Sequence, residues 1–171
     1  MDYGLVIPPV DILSGKTIAF TNYINNKPDI ENVLWYSNAY LYEVVRSSCS
    51  IPGIFAPKII NGMTLVDGGL TNNLPVDLLM YSGVKKVIGV DITSKYSPPS
   101  KVNIMETIAS SFRIMGITLR DCTSKNEILM LTPPLPDYAN LFCFKCMNES
   151  MEIGYDYTIK NLSEIRSLPE T

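Results

Sequence analysis

Short apolar runs alternate with polar, turn-forming clusters along the chain, and the period of each run decides which element it predicts. Val10 to Leu13 and Thr17 to Thr21 flank Ser14-Gly15-Lys16, so the opening reads as a β-hairpin. A polar loop rich in Asn, Pro and Asp follows. Over residues 39–48, Leu41, Val44, Val45 and Ser48 fall on the i, i+3, i+4, i+7 spacing of a helix. Asn38 is its expected N-cap, and Pro52-Gly53 halts the chain soon after its end.

The middle of the chain is punctuated more sharply. Lys58-Ile59-Ile60 and Met63 to Val66 flank Asn61-Gly62, the dipeptide that best fits a type I′ turn with both central residues at positive φ. The second strand runs directly into Asp67-Gly68-Gly69. Pro75 suits the first turn of a short helix, Val76 to Ser82, with Asp77 near its positive end and Gly83 at its close. Lys86 to Ile92 is a near-continuous β-branched run, as expected for a strand buried on both faces. Strand, helix, strand in that order predicts an α/β sheet flanked by helices, with β-hairpins before it.

Beyond the Ser97-Pro98-Pro99-Ser100 loop, residues 103–119 read as an amphipathic helix with Ile104, Ile108, Phe112, Met115 and Leu119 on its apolar face. Glu127 to Leu131 is a further short strand, ended by Pro133-Pro134. A last helix covers Met147 to Ser163. Its stripe of Met151, Tyr155, Ile159 and Leu162 reads as core-facing rather than as a lipid surface.

Composition narrows the chemistry. The 171 residues fit one domain, and 46% hydrophobic against 18% charged residues describes a globular chain with no disordered tract. The net charge of −3 and a single adjacent basic pair, Lys85-Lys86, argue against nucleic acid as a partner. There is no histidine, which removes Ser-His-Asp and Cys-His hydrolases and most zinc sites. Of the four cysteines, Cys143 and Cys146 form a lone C-x-x-C, too few ligands for a zinc site, and read as incidental thiols. No cofactor is expected. The N-terminus lacks the pattern of a signal peptide, and no stretch approaches the roughly 20 apolar residues that span a bilayer. The expectation is a soluble, cytoplasmic chain with peripheral membrane contact allowed.

Asp67 is the leading candidate for chemistry. A carboxylate at a strand end followed by two glycines can be approached closely by backbone and substrate, and the ends of strands are where α/β sheets place their sites. The same spacing also admits a structural reading, an Asx-turn after the hairpin with Gly68 and Gly69 present for φ > 0. Asp91, at the end of the Lys86 to Ile92 run, reads as structural, holding the next turn. Asp11 sits within the first hairpin.

The wider string resembles a known family. Ser48 to Pro57, SCSIPGIFAP, followed by a hairpin and then Asp67, Gly68, Gly69, Asn73 and Pro75, is similar to the central motif of patatin-like phospholipases. The resemblance extends at lower specificity to PVDILSGKTIAF and to the closing residues 126–162, so nearly all of the chain is covered. It implies that residues 1–171 form the C-terminal part of a patatin-like phospholipase domain, a partial patatin-like sheet flanked by helices. It also implies a serine–aspartate dyad acting on a lipid or another acyl ester. The serine would attack the carbonyl, and the aspartate would take its proton and later activate water. Asp67 matches that aspartate, Gly68 and Gly69 its supporting backbone, and a dyad needs no histidine.

The departure from the pattern is equally informative. Neither a G-x-S-x-G nucleophile elbow nor a glycine-rich oxyanion loop occurs in these residues. In the family both lie N-terminal to the segment present here. The serines of Arg46-Ser47-Ser48-Cys49-Ser50 lack flanking glycines and read as helix-end packing and capping. The expectation is therefore a fragment, a truncated frame or half of a split protein, with an N-terminal half carrying the nucleophile as partner. The alternative is a non-catalytic remnant or interaction module that keeps the fold. A nucleotide-binding domain is disfavoured because neither phosphate-binding glycine motif is present.

Overall fold

The computed structural model describes residues 3–23, 28–92, 96, 98–99, 102–123, 126–136, 138 and 143–168, and only the backbone of Met105 and Thr123. Val6–Ile7 (β1) and Val10–Asp11 (β2) are two halves of one extended arm, interrupted by Pro8-Pro9 because proline has no N–H to give a ladder. Both halves pair antiparallel with Lys16–Thr21 (β3), Ile7 opposite Phe20 and Val10 opposite Thr17. The Pro9 carbonyl accepts the Ile18 N–H at 2.8 Å, so the prolines break the arm without detaching it. The predicted hairpin is present, but its first arm starts at Val6, and Ile12 and Leu13 belong to the turn.

One strand was hidden in the expected polar loop. Val33–Tyr36 (β4) lies parallel to the free edge of β3, Ile18 opposite Leu34 and Phe20 opposite Tyr36. Four apolar residues among Asn, Pro and Asp carry too little local signal, and it is the pairing with β3 that makes them a strand. Helix Leu41–Ser48 (α1) follows, then Lys58–Ile60 (β5) and Met63–Val66 (β6), joined as predicted by Asn61 at φ 51° and Gly62 at φ 81°. β6 pairs with β2, Val10 opposite Val66, giving one mixed sheet in the order β4, β3, the β1/β2 arm, β6, β5.

The core lies between one face of this sheet and α1. Ile18, Phe20, Val44, Ile60 and Leu65 meet there, with Ile7, Tyr36, Ala39 and Met63 around them. Each large aliphatic so enclosed contributes about 1.5–3 kcal/mol relative to exposure. The helix turns Val44 and Ser47 inward and leaves Leu41 and Val45 exposed, a shift from the face its apolar spacing predicts. Ser47 is tolerated in the core because its hydroxyl donates to the Val44 carbonyl at 2.7 Å. Asn38 is not the cap. Tyr40 holds that position with no side-chain bond, and the Asn38 carbonyl instead accepts the Asn61 side-chain amide at 3.0 Å.

The remainder forms a second, smaller assembly. A 3₁₀ turn at Gly68–Leu70 leads to Val76–Tyr81 (α2), closed by Gly83 at φ 98°, and then to Ile88–Val90 (β7). Ile104–Thr123 (α3) crosses over to Leu129–Leu131 (β8), which pairs parallel with β7. The α/β expectation is therefore met by β7-α3-β8. It is not met by β6-α2-β7, because β6 and β7 belong to different sheets. Nor is β7 buried on both faces. Val87, Gly89 and Asp91 point inward, whereas Ile88, Val90 and Ile92 are 42, 54 and 66% exposed. Burial of both faces needs a second layer; among the described residues Met151, Gly154 and Tyr157 approach Val90 and Ile92 but leave them exposed.

The predicted last helix is two helices, Met147–Lys160 (α4) and Leu162–Ser167 (α5), separated at Asn161. Met151 and Tyr155 are about 70% exposed, and α4 buries no residue, so the core reading of this stripe is corrected. Cys143 and Cys146 are not separate thiols: they are joined in a disulfide across the turn that opens α4, while Cys49 and Cys122 are free. Among the described residues no helix is long and apolar enough to cross a membrane.

Candidate active site

Asp67 leaves the end of β6 as the residue that caps the Gly68–Leu70 turn. Its N–H donates to the Ser50 carbonyl at 3.0 Å, tying the strand end to the segment after α1. Its Oδ1 accepts the Gly69 N–H at 2.7 Å, an Asx-type bond that fixes the carboxylate's direction. Its Oδ2 has no hydrogen bond among the described residues and is left to accept a proton. Burial pushes the Asp67 carboxyl above its ordinary value, with the Gly69 N–H opposing the rise. A half-buried carboxylate of raised basicity with one oxygen free suits a general base.

The two glycines have separate reasons to be glycine, and positive φ is not one of them, since neither adopts it. A Cβ on Gly68 would fall 2.1 Å from the Pro8 carbonyl oxygen, so the turn packs directly on the backbone of the β1/β2 arm. A Cβ on Gly69 would meet only side chains, Asp67 Oδ1 at 3.0 Å and Asn73 Oδ1 at 3.3 Å. The structural reading of the Asx-turn and the functional reading of Asp67 are thus compatible: the turn is what aims the carboxylate.

Supports that the sequence pattern alone did not single out hold the turn from below. The Gly68 carbonyl accepts the N–H groups of Thr71 and Asn72 at 3.1 and 3.0 Å. The Thr71 and Thr17 hydroxyls are 2.8 Å apart, linking the turn to β3. Asn72, buried, donates its side-chain amide to Asp77 at 2.7 Å and so ties the turn to the start of α2. Its Oδ1 finds no partner among the described residues. On the far side α3 passes close, and a Cβ on its Gly116 would lie 3.6 Å from the Asn73 amide nitrogen. The signals for these contacts were single polar residues near the motif, indistinguishable in sequence from loop composition.

Two of the three serines near Asp67 are already committed. Ser47 and Ser50 are fully buried, their hydroxyls given to the carbonyls of Val44 and Arg46 at 2.7 and 2.8 Å. Ser48 Oγ would stand 3.5 Å from a Cβ on Gly68, yet no hydrogen bond joins it to Asp67 among the described residues. Cys49 lies close enough to feel the Asp67 charge. Burial and that charge both push its thiol up, away from the thiolate a nucleophile needs.

Asp11 and Asp91 have other partners. Asp11 is buried, with Oδ2 accepting the Ser14 hydroxyl and N–H at 2.6 and 3.2 Å and Oδ1 accepting the Thr64 N–H at 2.9 Å. Desolvation alone would raise its pKa, but these bonds outweigh it and hold the carboxyl below its ordinary value. Asp91 is buried at the end of β7 and paired with Arg120 of α3 at 2.8 Å. Arg120 also binds Asp121 at 2.7 Å. Among the described residues no group of His, Cys, Asp and Glu could hold a metal ion.

Comparison with known proteins agrees on this region. The family model described as patatin-like phospholipase matches residues 6–80, from β1 to the last turn of α2. Lysophospholipase NTE1 of Candida albicans is 37% identical over 80% of this chain and 11% of its own length. Those of Scheffersomyces stipitis and Kluyveromyces lactis are 26 and 25% identical over 84 and 88% of this chain. The chain spans about a tenth of the length of these curated relatives.

Proposed function

The chain belongs to the patatin-like phospholipase family, and from that premise we propose that it forms the C-terminal part of a lipid acyl hydrolase domain in which Asp67 is the base of a serine–aspartate dyad. The serine Oγ comes from residues outside these 171, on the same or another polypeptide. Asp67 Oδ2 takes the serine proton as Oγ bonds to the acyl carbonyl carbon. The proton then passes to the departing alcohol oxygen, leaving an acyl-serine. Asp67 next takes a proton from water as the water oxygen bonds to the acyl carbon; the C–Oγ bond then breaks, the proton returns from Asp67 to Oγ, and a fatty acid is released. The substrate class is a phospholipid, a lysophospholipid or a related acyl ester.

One observation carries this reading: in a turn held from four sides, the aspartate of the family motif is the half-buried carboxylate with an oxygen unused. A second reading, an interaction module without catalysis, is favoured by the open apolar face of β7 at Ile88, Val90 and Ile92. The deciding experiment is hydrolysis of a short-chain nitrophenyl ester by the chain, alone and mixed with a family segment bearing the glycine-rich loop and G-x-S-x-G. Activity in the mixture only, abolished by Asp67→Asn, is expected. Turnover by the chain alone would place the nucleophile within these residues. A stable but inactive mixture would favour the interaction module.

A further inference from the structure

The C-x-x-C of the sequence plays no part in the Asp67 site. Cys143 and Cys146 are bonded to each other with their Cα atoms 5.4 Å apart, an ordinary span for a disulfide. Their sequence separation is 3. The stabilisation that a cross-link draws from chain entropy grows with the loop it closes, so at this spacing it contributes least as a staple.

The two sulfurs stand in different surroundings. Cys143 is half-buried, whereas Cys146 is buried, only 7% exposed. Phe144 and Lys145 between them are exposed, so the bond is approached from solvent at Cys143. Lys145 places a cation beside the pair, and a neighbouring cation favours thiolate over thiol. Cys146 is the N-cap residue of α4 and makes no capping bond while its sulfur is held in the disulfide. Released as a thiolate, that sulfur becomes an acceptor for the N–H groups of the first turn, at the positive end of the helix. The acidic side chain of that turn, Glu149, has its carboxylate bonded to the Tyr138 hydroxyl at 2.6 Å. Access to one sulfur and stabilisation of the other as it leaves are what thiol–disulfide exchange requires.

We propose that Cys143–Cys146 is a redox-active disulfide, opened by a small thiol of the glutathione class. A thiolate of that class attacks Cys143 Sγ. The S–S bond breaks, and Cys146 Sγ leaves as a thiolate that takes up a proton. A second small thiolate then attacks the sulfur of the first in the mixed disulfide. The small-molecule disulfide forms, and Cys143 Sγ is released and protonated in turn. Two electrons pass from two thiols to the protein, and the reverse sequence closes the bond again. None of these steps touches Asp67, so the inference stands apart from the hydrolase reading and is measured without ester turnover.

The test uses the full folded chain, equilibrated in buffers of reduced and oxidised glutathione that run from the cytosolic to the secretory poise. Thiols are then trapped with N-ethylmaleimide and mapped by peptide mass spectrometry, with the free thiols Cys49 and Cys122 as internal references. The peptide holding Cys143 and Cys146 should pass from disulfide to doubly trapped dithiol within that span. Cys146→Ser should accumulate glutathione on Cys143, and Cys143→Ser should carry about tenfold less on the buried Cys146. The titration of the parent chain stands whether or not the variants fold. A bond that stays closed in the most reducing buffer, while the urea-unfolded chain opens, would overturn the assignment in favour of a structural staple. A pair open at every poise, or equal adducts on the two cysteines, would overturn it as well.

Discussion

Gly68→Ala should be the most damaging single-methyl change around the candidate site. The added Cβ would sit 2.1 Å from the Pro8 oxygen and 3.1 Å from its carbonyl carbon, and both contacts are backbone. Relief requires moving the turn or the arm by roughly 1 Å to reach ordinary contact. Neither moves cheaply. The arm is stiffened by Pro8-Pro9 and bonded through Pro9 to Ile18, and the turn is bonded to Ser50, Thr17 and, through Asn72, to Asp77. The cost therefore belongs near the top of the overpacking range, about 3 kcal/mol, which lowers the melting temperature of a chain this size by about 6–12 °C. Gly69→Ala is the internal control, because its Cβ meets two side chains that can rotate away. It should cost less than about 1 kcal/mol yet displace the Asp67 carboxylate from the Gly69 N–H. Losing that bond raises the Asp67 pKa further. Thermal melts by circular dichroism give the first quantity, and ¹³C carboxyl titration by NMR gives the second. A Gly68→Ala protein melting within about 2 °C of the parent, or a Gly69→Ala protein less stable than Gly68→Ala, would refute this account of the turn.

Asp67→Asn should flatten the pH dependence of stability. The folded pKa is raised, so the contribution of the neutral acid is fully present below 3.8 and lost as pH rises through the folded value, and urea titrations on either side of that window show whether the variant escapes the loss. Asp11 has the opposite sign: its pKa is lowered, so its contribution is present above 3.8 and lost as pH falls through the folded value. Asp11→Ala removes three bonds to a carboxylate and strands the Thr64 N–H, a loss of about 2–3 kcal/mol at neutral pH in chemical denaturation. Arg120→Met removes the guanidinium that donates to the buried Asp91 carboxylate at 2.8 Å, costing about 1.5–3 kcal/mol, and adding Asp91→Leu should recover part of it; a double variant no better than the single would show that the pair is not the cause.

Legibility followed the range of the interactions that decide each feature. The Asn61-Gly62 hairpin, the Gly83 stop after α2 and the strand leading to Asp67 are specified within a few residues, and each forms where the pattern predicts. β4 and the inward face of α1 depend on partners more than ten residues away, and local periodicity misplaced both. The exposed faces of β7 and α4 show the same limit from the other side. Ile88, Val90, Met151 and Tyr155 have the character of core residues, but burial is a property of the layer that covers them and not of the side chain.

The candidate site divides along the same line. Asp67 could be named from the order of a few unusual dipeptides. Why Gly68 is a glycine could not, since the pattern offers positive φ as a reason and the actual reason is the Pro8 carbonyl, sixty residues earlier. That distinction matters for function. A glycine kept for φ tolerates Asn or Asp, whereas one kept for close approach tolerates no side chain at all. The position of the Asp67 carboxylate is therefore coupled to the packing of the first hairpin, and a change at Pro8 or Pro9 should disturb the site as surely as a change within the motif.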